Sequence, residues 1–216
     1  MRSGLDLSVY LITDAHLRPD RSHLDVAMAA VEGGATVIQF REKDAPTREM
    51  YRTAIKLKEF LSPYGIPLIV NDRIDIALAV DADGVHLGQE DMPVDVARRI
   101  MGPGKIIGAS ATNLEEAVEA ERSGADYIGF GPIFPTGTKP DASPPTGLAP
   151  LRDVCKRVGI PVVAIGGITA SNASLCLEAG AAGVAVISAV LMAPDMVEAT
   201  RAIRKAVTDS LKRVSP

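Results

Sequence analysis

Eight short apolar runs, each followed by a stretch with helical periodicity or helix-start signals, set the rhythm of this chain. They fall at residues 8–13, 36–40, 68–70, 84–87, 106–109, 127–130, 162–165 and 183–187. The runs are continuous rather than alternating, which is how parallel strands read when helices cover the sheet. Between them, residues 22–32, 47–62, 73–80, 94–101, 114–123, 149–158, 170–179 and 195–212 are expected to be helical. Gly33, Gly65, Gly102, Gly124, Gly159 and Gly180 stand at or just past helix ends, where a left-handed residue is wanted.

A weak internal repeat supports the same count. Gly34-Ala35-Thr36-Val37-Ile38, Gly124-Ala125-Asp126-Tyr127-Ile128 and Gly180-Ala181-Ala182-Gly183-Val184 share one helix-to-strand junction, and Asp83-Gly84-Val85-His86 is a looser copy. Eight such units in 216 residues predict a compact (β/α)8 TIM barrel rather than an open doubly wound sheet, because the last strand needs a partner and closure supplies one. No linker divides the chain, so residues 1–216 read as a single barrel domain. The Pro-rich stretch at 140–150 then sits inside a loop and reads as a mobile cover, with Lys139 closing on bound anion.

Composition narrows the partners. A hydrophobic content of 47% is enough to bury a sizeable core. A net charge of -4 without a basic stripe, four Tyr, four Phe and no Trp argue against nucleic acid. Cys155 and Cys176 lack C-x-x-C spacing and read as buried reduced thiols. Residues 1–20 lack the pattern of a signal peptide, and no run reaches the roughly 18 apolar residues of a membrane span. The expectation is a cytoplasmic protein with small-molecule partners, no membrane partner, and room for a homo-oligomer.

In a (β/α)8 barrel the C-terminal strand ends converge on one mouth. Polar residues gather there: Gln39, Arg41, Lys43 and Asp44 after the second strand, Asn71 and Asp72 after the third, Gln89 to Asp91 after the fourth, and Ser110 at the fifth. Arg41, Lys43 and Lys139 suit an anion clamp. The stretch 129–139 gathers glycines, Thr136, Thr138 and Lys139 into one loop, and a second glycine turn follows at Gly166-Gly167. Main-chain N–H groups at such turns, with hydroxyls and an ammonium, are phosphate-binding chemistry. Two such turns suggest more than one phosphoryl group. Asp72 and Asp91 come from adjacent strand ends and suit a shared Mg2+; each equally suits a helix cap, at Arg73 and near Pro93. His86 reads as structural, His16 and His23 as lacking partners, and Ser110 as lacking a neighbouring histidine, so covalent catalysis is not indicated.

The motifs V-I-Q-F-R-E-K-D (37–44), L-I-V-N-D-R-I-D-I-A (68–77), G-V-H-L-G-Q-E-D (84–91), I-G-A-S (107–110), G-F-G-P-I-F-P-T-G-T-K (129–139), A-I-G-G-I (164–168) and V-A-V-I-S (184–188) resemble the thiamine phosphate synthase family over nearly the whole chain. Phe40 departs from the aliphatic residue or Tyr usual there and leaves the polar positions intact. The resemblance implies a transferase that condenses 4-amino-2-methyl-5-(diphosphooxymethyl)pyrimidine with a thiazole ethyl phosphate, releasing diphosphate by a dissociative, Mg2+-assisted substitution. It implies that Gln39, Arg41, Lys43 and Asn71 hold the pyrimidine diphosphate, and that Asp72 and Asp91 hold Mg2+. Ser110 and Lys139 would take the leaving group, with Arg41, Lys43, Ser110 and Lys139 carrying the catalysis. Thr136, Thr138, Gly166, Gly167, Ile187 and Ser188 would form the thiazole phosphate pocket. The related thiazole tautomerases need not bind a diphosphate; Asn71, Asp72, Asp91, Ser110 and Lys139 together point away from them.

Overall fold

The computed structural model describes residues 5–137 and 144–214. In chain order the first half runs β1 (Val9–Ile12), α1 (His23–Glu32), β2 (Val37–Phe40), α2 (Thr47–Leu61), β3 (Leu68–Asn71), α3 (Ile74–Ala79), β4 (Gly84–Leu87) and α4 (Val94–Met101). The second half runs β5 (Ile106–Ala111), α5 (Leu114–Arg122), β6 (Tyr127–Phe130), α6 (Leu148–Arg157), β7 (Val162–Ile165), α7 (Ala173–Glu178), β8 (Gly183–Val186), α8 (Ser188–Leu191) and α9 (Met196–Val214). All strand pairs are parallel, and β8 closes onto β1 through Val9 opposite Val184 and Tyr10 opposite Ala185. The expected (β/α)8 barrel is therefore the fold. Strands β1, β2 and β8 are buried along their whole length, as continuous apolar runs under a helical coat require.

Element bounds shift in ways that matter for the mouth. β5 runs two residues beyond the expected end, so Ser110 lies inside the strand opposite Gly129. β3 includes Asn71, opposite His86. α8 was not anticipated from the apolar pattern, because four residues are too few for a helical period to register.

The repeated junction is real and has a mechanism. Gly34, Gly124 and Gly180 have φ of 96°, 96° and 105°, and the next amide reaches back to the helix: Ala35 to Ala30, Ala125 to Ala120, Ala181 to Cys176. The fourth copy starts at Asp81 (φ 52°), with Ala82 N–H on the Ala77 carbonyl, so the looser match at Asp83-Gly84-Val85-His86 begins at the third place of the repeat. The residue two places on then ties the incoming strand to its predecessor. Thr36 Oγ1 accepts from Val9 N–H, Asp83 Oδ2 from Leu68 N–H, and Asp126 Oδ2 from Ile107 N–H. At the corresponding place in the third glycine copy stands Ala182, which has no side-chain acceptor and offers only its main-chain N–H to Val162.

Of the expected left-handed glycines, Gly159 has no positive φ and Gly33 is instead right-handed at φ -76°. A Cβ there would lie 2.5 Å from Thr200 Cβ, so this glycine serves the close approach of α1 to α9.

Candidate active site

A cavity of about 460 Å3 opens at the C-terminal ends of the strands. Gln39, Arg41, Lys43, Asn71, Asp72, Asp91, Ser110, Thr136, Gly166, Gly167, Ile187 and Ser188 all line it. The topology brings these expected site residues together; Thr138, Lys139 and residues 140–143 of the expected cover lie outside the described residues, while Thr146 and Gly147 bond back to the Pro132 and Ile133 carbonyls and Leu148–Pro150, expected as loop, already belong to α6.

The two described cations of the expected clamp are each held by a carboxylate. Arg41 Nη1 donates to Asp14 Oδ2, a pair with side chains only 16% and 5% exposed. Asp14 is itself fixed by the His16 and Leu17 amides, which bind its other oxygen. That pair orients a guanidinium at the cavity wall. Lys43 Nζ lies 2.5 Å from Asp72 Oδ2, but the lysine is 47% exposed, so solvent screens this pair and an anion can compete for the ammonium.

Neither aspartate caps a helix. The residue before α3 is Arg73 and the residue before α4 is Pro93, and neither helix has a side-chain cap. Asp72 stands in the left-handed region at φ 60°, a conformation that costs a Cβ-bearing residue about 1–2 kcal/mol but is most accessible to Asp and Asn. Asp91 Oδ2 accepts the Gly88 N–H at 2.6 Å. Burial, and then its hydrogen bond with the Asp72 carboxyl, hold the Asp91 carboxyl above the usual carboxylate range. Two carboxylates forced together in a cavity, one resisting ionisation, form a donor set that a hard divalent cation satisfies. Among the described residues, His16, Glu42 and Asp44 also place ligating atoms within 4.8 Å of one another at the rim. There the Glu42 oxygens already accept from the Asp44 and Ala45 amides and face His23.

The histidines differ from expectation. His16 Nε2 meets Asp44 Oδ2 at 2.5 Å. His23 is wedged between Thr13 Oγ1 at 2.7 Å and Glu42 Oε2 at 3.2 Å, edge-on to Phe40. His86 does neighbour Ser110, with Nε2 2.9 Å from Oγ, and Nδ1 is 3.0 Å from Tyr127 Oη. Tyr127 Oη is 2.7 Å from Tyr10 Oη, which accepts from Gln39 Nε2 at 2.9 Å. Tyr10, His86 and Tyr127 line the cavity too. Their apolar settings in the sequence disguised them as core, and only the strand register turns them inward together.

Glycines make this inner layer possible. A Cβ on Gly108 would lie 2.1 Å from Tyr127 Cζ, and one on Gly129 would lie 3.0 Å from His86 Cε1. On the far wall, Gly166 and Gly167 have φ of 96° and 64°. Cβ atoms there would strike Pro132 at 2.4 Å and the Pro135 carbonyl oxygen at 2.5 Å. The loop after β6 is thus laid directly on the turn after β7, with Ile133 N–H on Ile165 O and Phe134 N–H on Gly166 O. Cys155 and Cys176 are on α6 and α7, away from the cavity lining, and burial pushes their thiols up to about 11 and about 12.

Comparison with known proteins gives a consistent picture. Residues 9–190 match the family model for thiamine monophosphate synthase. The chain is 55% identical over 204 residues to the thiamine-phosphate synthase of Chloroflexus aurantiacus, covering 94% of each chain. It is 52% identical over 195 residues to that of Roseiflexus castenholzii, covering 90% of this chain and 86% of the relative. The solved thiamine phosphate pyrophosphorylase from Pyrococcus furiosus superposes with a TM-score of 0.89 at 51% identity, covering 96% of this chain and 98% of that one.

Proposed function

The chain belongs to the thiamine monophosphate synthase family and is an enzyme of the transferase class, and from that premise we propose that it joins 4-amino-2-methyl-5-(diphosphooxymethyl)pyrimidine to a thiazole ethyl phosphate. The products are thiamine phosphate and diphosphate. The observation that carries this reading is the one cavity lined by Arg41, Lys43, Asn71, Asp72, Asp91 and Ser110 on one side and by Gly166, Gly167, Ile187 and Ser188 on the other. One side suits a diphosphate; the other suits a phosphate.

On this reading Gln39 faces the pyrimidine. Arg41, pre-oriented by Asp14, and Lys43, exchanging Asp72 for an anion, bind diphosphate oxygens together with Asn71, Ser110 and Lys139. Asp72 and Asp91 would hold Mg2+, whose chemistry here is neutralisation of the diphosphate charge. The C–O bond to diphosphate breaks first, because the electron-rich aminopyrimidine delocalises the positive charge on its methylene; the thiazole nitrogen then attacks that carbon. No base is required, since the ring nitrogen carries no proton. Thr136, Thr138, Gly166, Gly167, Ile187 and Ser188 hold the thiazole phosphate. Catalysis is then mostly positioning and preorganised charge. We place this reaction in the cytoplasm, in keeping with the free thiols, and on a single domain.

The test is diphosphate release with Mg2+ and both substrates present, then with each omitted in turn. Release that needs both substrates and is accompanied by thiamine phosphate is the expected result. Release without the thiazole phosphate and without thiamine phosphate would indicate a hydrolase instead.

A further inference from the structure

Beyond the residues that face substrate, the barrel interior carries a continuous polar chain. It runs from Gln39 Nε2 to Tyr10 Oη, Tyr127 Oη, His86 Nδ1 and, from the other ring nitrogen, Ser110 Oγ, with steps of 2.9, 2.7, 3.0 and 2.9 Å. Gln39, Tyr10 and Tyr127 are buried to within 2% of complete. The chain links five strands, and glycines on two of them clear the space for its rings.

Its direction follows from donor counting. An amide nitrogen only donates, so Tyr10 Oη receives from Gln39, and the buried Tyr10 hydrogen is satisfied by going to its other hydroxyl partner, Tyr127 Oη. Tyr127 then spends its own on His86 Nδ1. A neutral imidazole accepting at Nδ1 carries its hydrogen on Nε2, and so donates to Ser110 Oγ. Burial raises both phenols far above their ordinary range, which keeps each a donor.

Resting on the proposed reaction, we propose that this chain locks His86 as the Nε2–H tautomer and thereby leaves the Ser110 hydroxyl hydrogen to point into the cavity, as a fixed donor to the departing diphosphate. His86 is thus a positioning residue that acts through Ser110, and the pyrimidine-facing amide of Gln39 sets the polarity of the whole relay.

Two measurements test this. Nitrogen-15 NMR of the imidazole in the free wild-type protein should show a protonated Nε2 and a bare Nδ1, and Tyr127→Phe should allow the other tautomer to appear. A wild-type ring protonated on Nδ1, or ring signals indifferent to Tyr127→Phe, overturns the proposal whatever the enzyme's activity. In steady state, His86→Asn should lose on the order of tenfold in kcat, a fraction of the 10²–10³ typical for deleting a preorganised donor. KM for the thiazole phosphate should hold. His86→Gln, whose amide reaches the Nε2 place, should recover most of the loss. Combining His86→Asn with Ser110→Ala should be no worse than Ser110→Ala alone; multiplied losses would show that His86 does not act through Ser110. A wild-type protein that makes no thiamine phosphate removes the proposed function and the catalytic consequence with it, while the NMR result still decides the relay. Should His86→Asn fail to fold, the wild-type and Tyr127→Phe spectra decide alone.

Discussion

At neutral pH the Asp91 carboxyl faces that of Asp72, and burial and that contact both raise its pKa above the ordinary value. A raised carboxyl favours the folded state at low pH and loses that contribution as pH rises through the folded value, so above that value the Asp91 charge costs the metal-free protein stability. Asp91→Asn should therefore raise the metal-free Tm at pH 7, abolish the rise that Mg2+ produces in wild type, and cut turnover on the order of 10²-fold. A variant with an unchanged Mg2+ shift would show that Asp91 does not hold the ion. His23 carries the opposite sign. Burial lowers its pKa despite Glu42 and Asp14, so below about pH 6.5 the unfolded chain takes up a proton that the folded chain refuses. Stability should fall as pH drops from that point toward the lower folded value. Tm curves of wild type and His23→Gln should converge at acid pH and separate above it; parallel curves would place the acid sensitivity elsewhere.

Among the elements, α1 and α9 meet at Gly33, where an added Cβ has no route past Thr200 Cβ and the Val197 carbonyl. Gly33→Ala should cost about 1–3 kcal/mol in denaturant unfolding. Gly104→Ala, whose Cβ would meet nothing within 4 Å, should stay within about 1 kcal/mol of wild type. Equal effects would mean that helix-end conformation, not packing, governs Gly33. The contrast also shows what a sequence conceals: both glycines follow apolar helical periods, and only the approach of a helix more than 160 residues away separates them. The same holds at the site. Arg41, Lys43, Asn71, Asp72 and Asp91 were legible because a strand end marks the mouth and polarity there stands out. The contact of His86 with Ser110, the grip of Asp14 on Arg41 and the inward turn of Tyr10 and Tyr127 were not, because each depends on the register between strands, which no local pattern encodes.

For the molecule as a whole, barrel closure was legible from the count of units, since an eighth strand without a partner would leave an open edge. The junction repeat carries a further consequence, in the order of folding. Thr36, Asp83 and Asp126 fasten β2 to β1, β4 to β3 and β6 to β5, always an even strand to the odd one before it. β8 reaches β7 with Ala182, which has no such fastening. Three of the four odd-to-even pairs are thus latched by contacts whose sequence separations of 27, 15 and 19 residues are far shorter than that of the β1–β8 closure, and the more local contacts form early and open late. Hydrogen exchange should find the Leu68 and Ile107 amides among the slowest in the protein, and Asp83→Ala should speed exchange at Leu68 while leaving Ile107 slow. The β7–β8 pair should open first under mild denaturant, so the barrel would come apart as three durable βαβ modules and one loose seam.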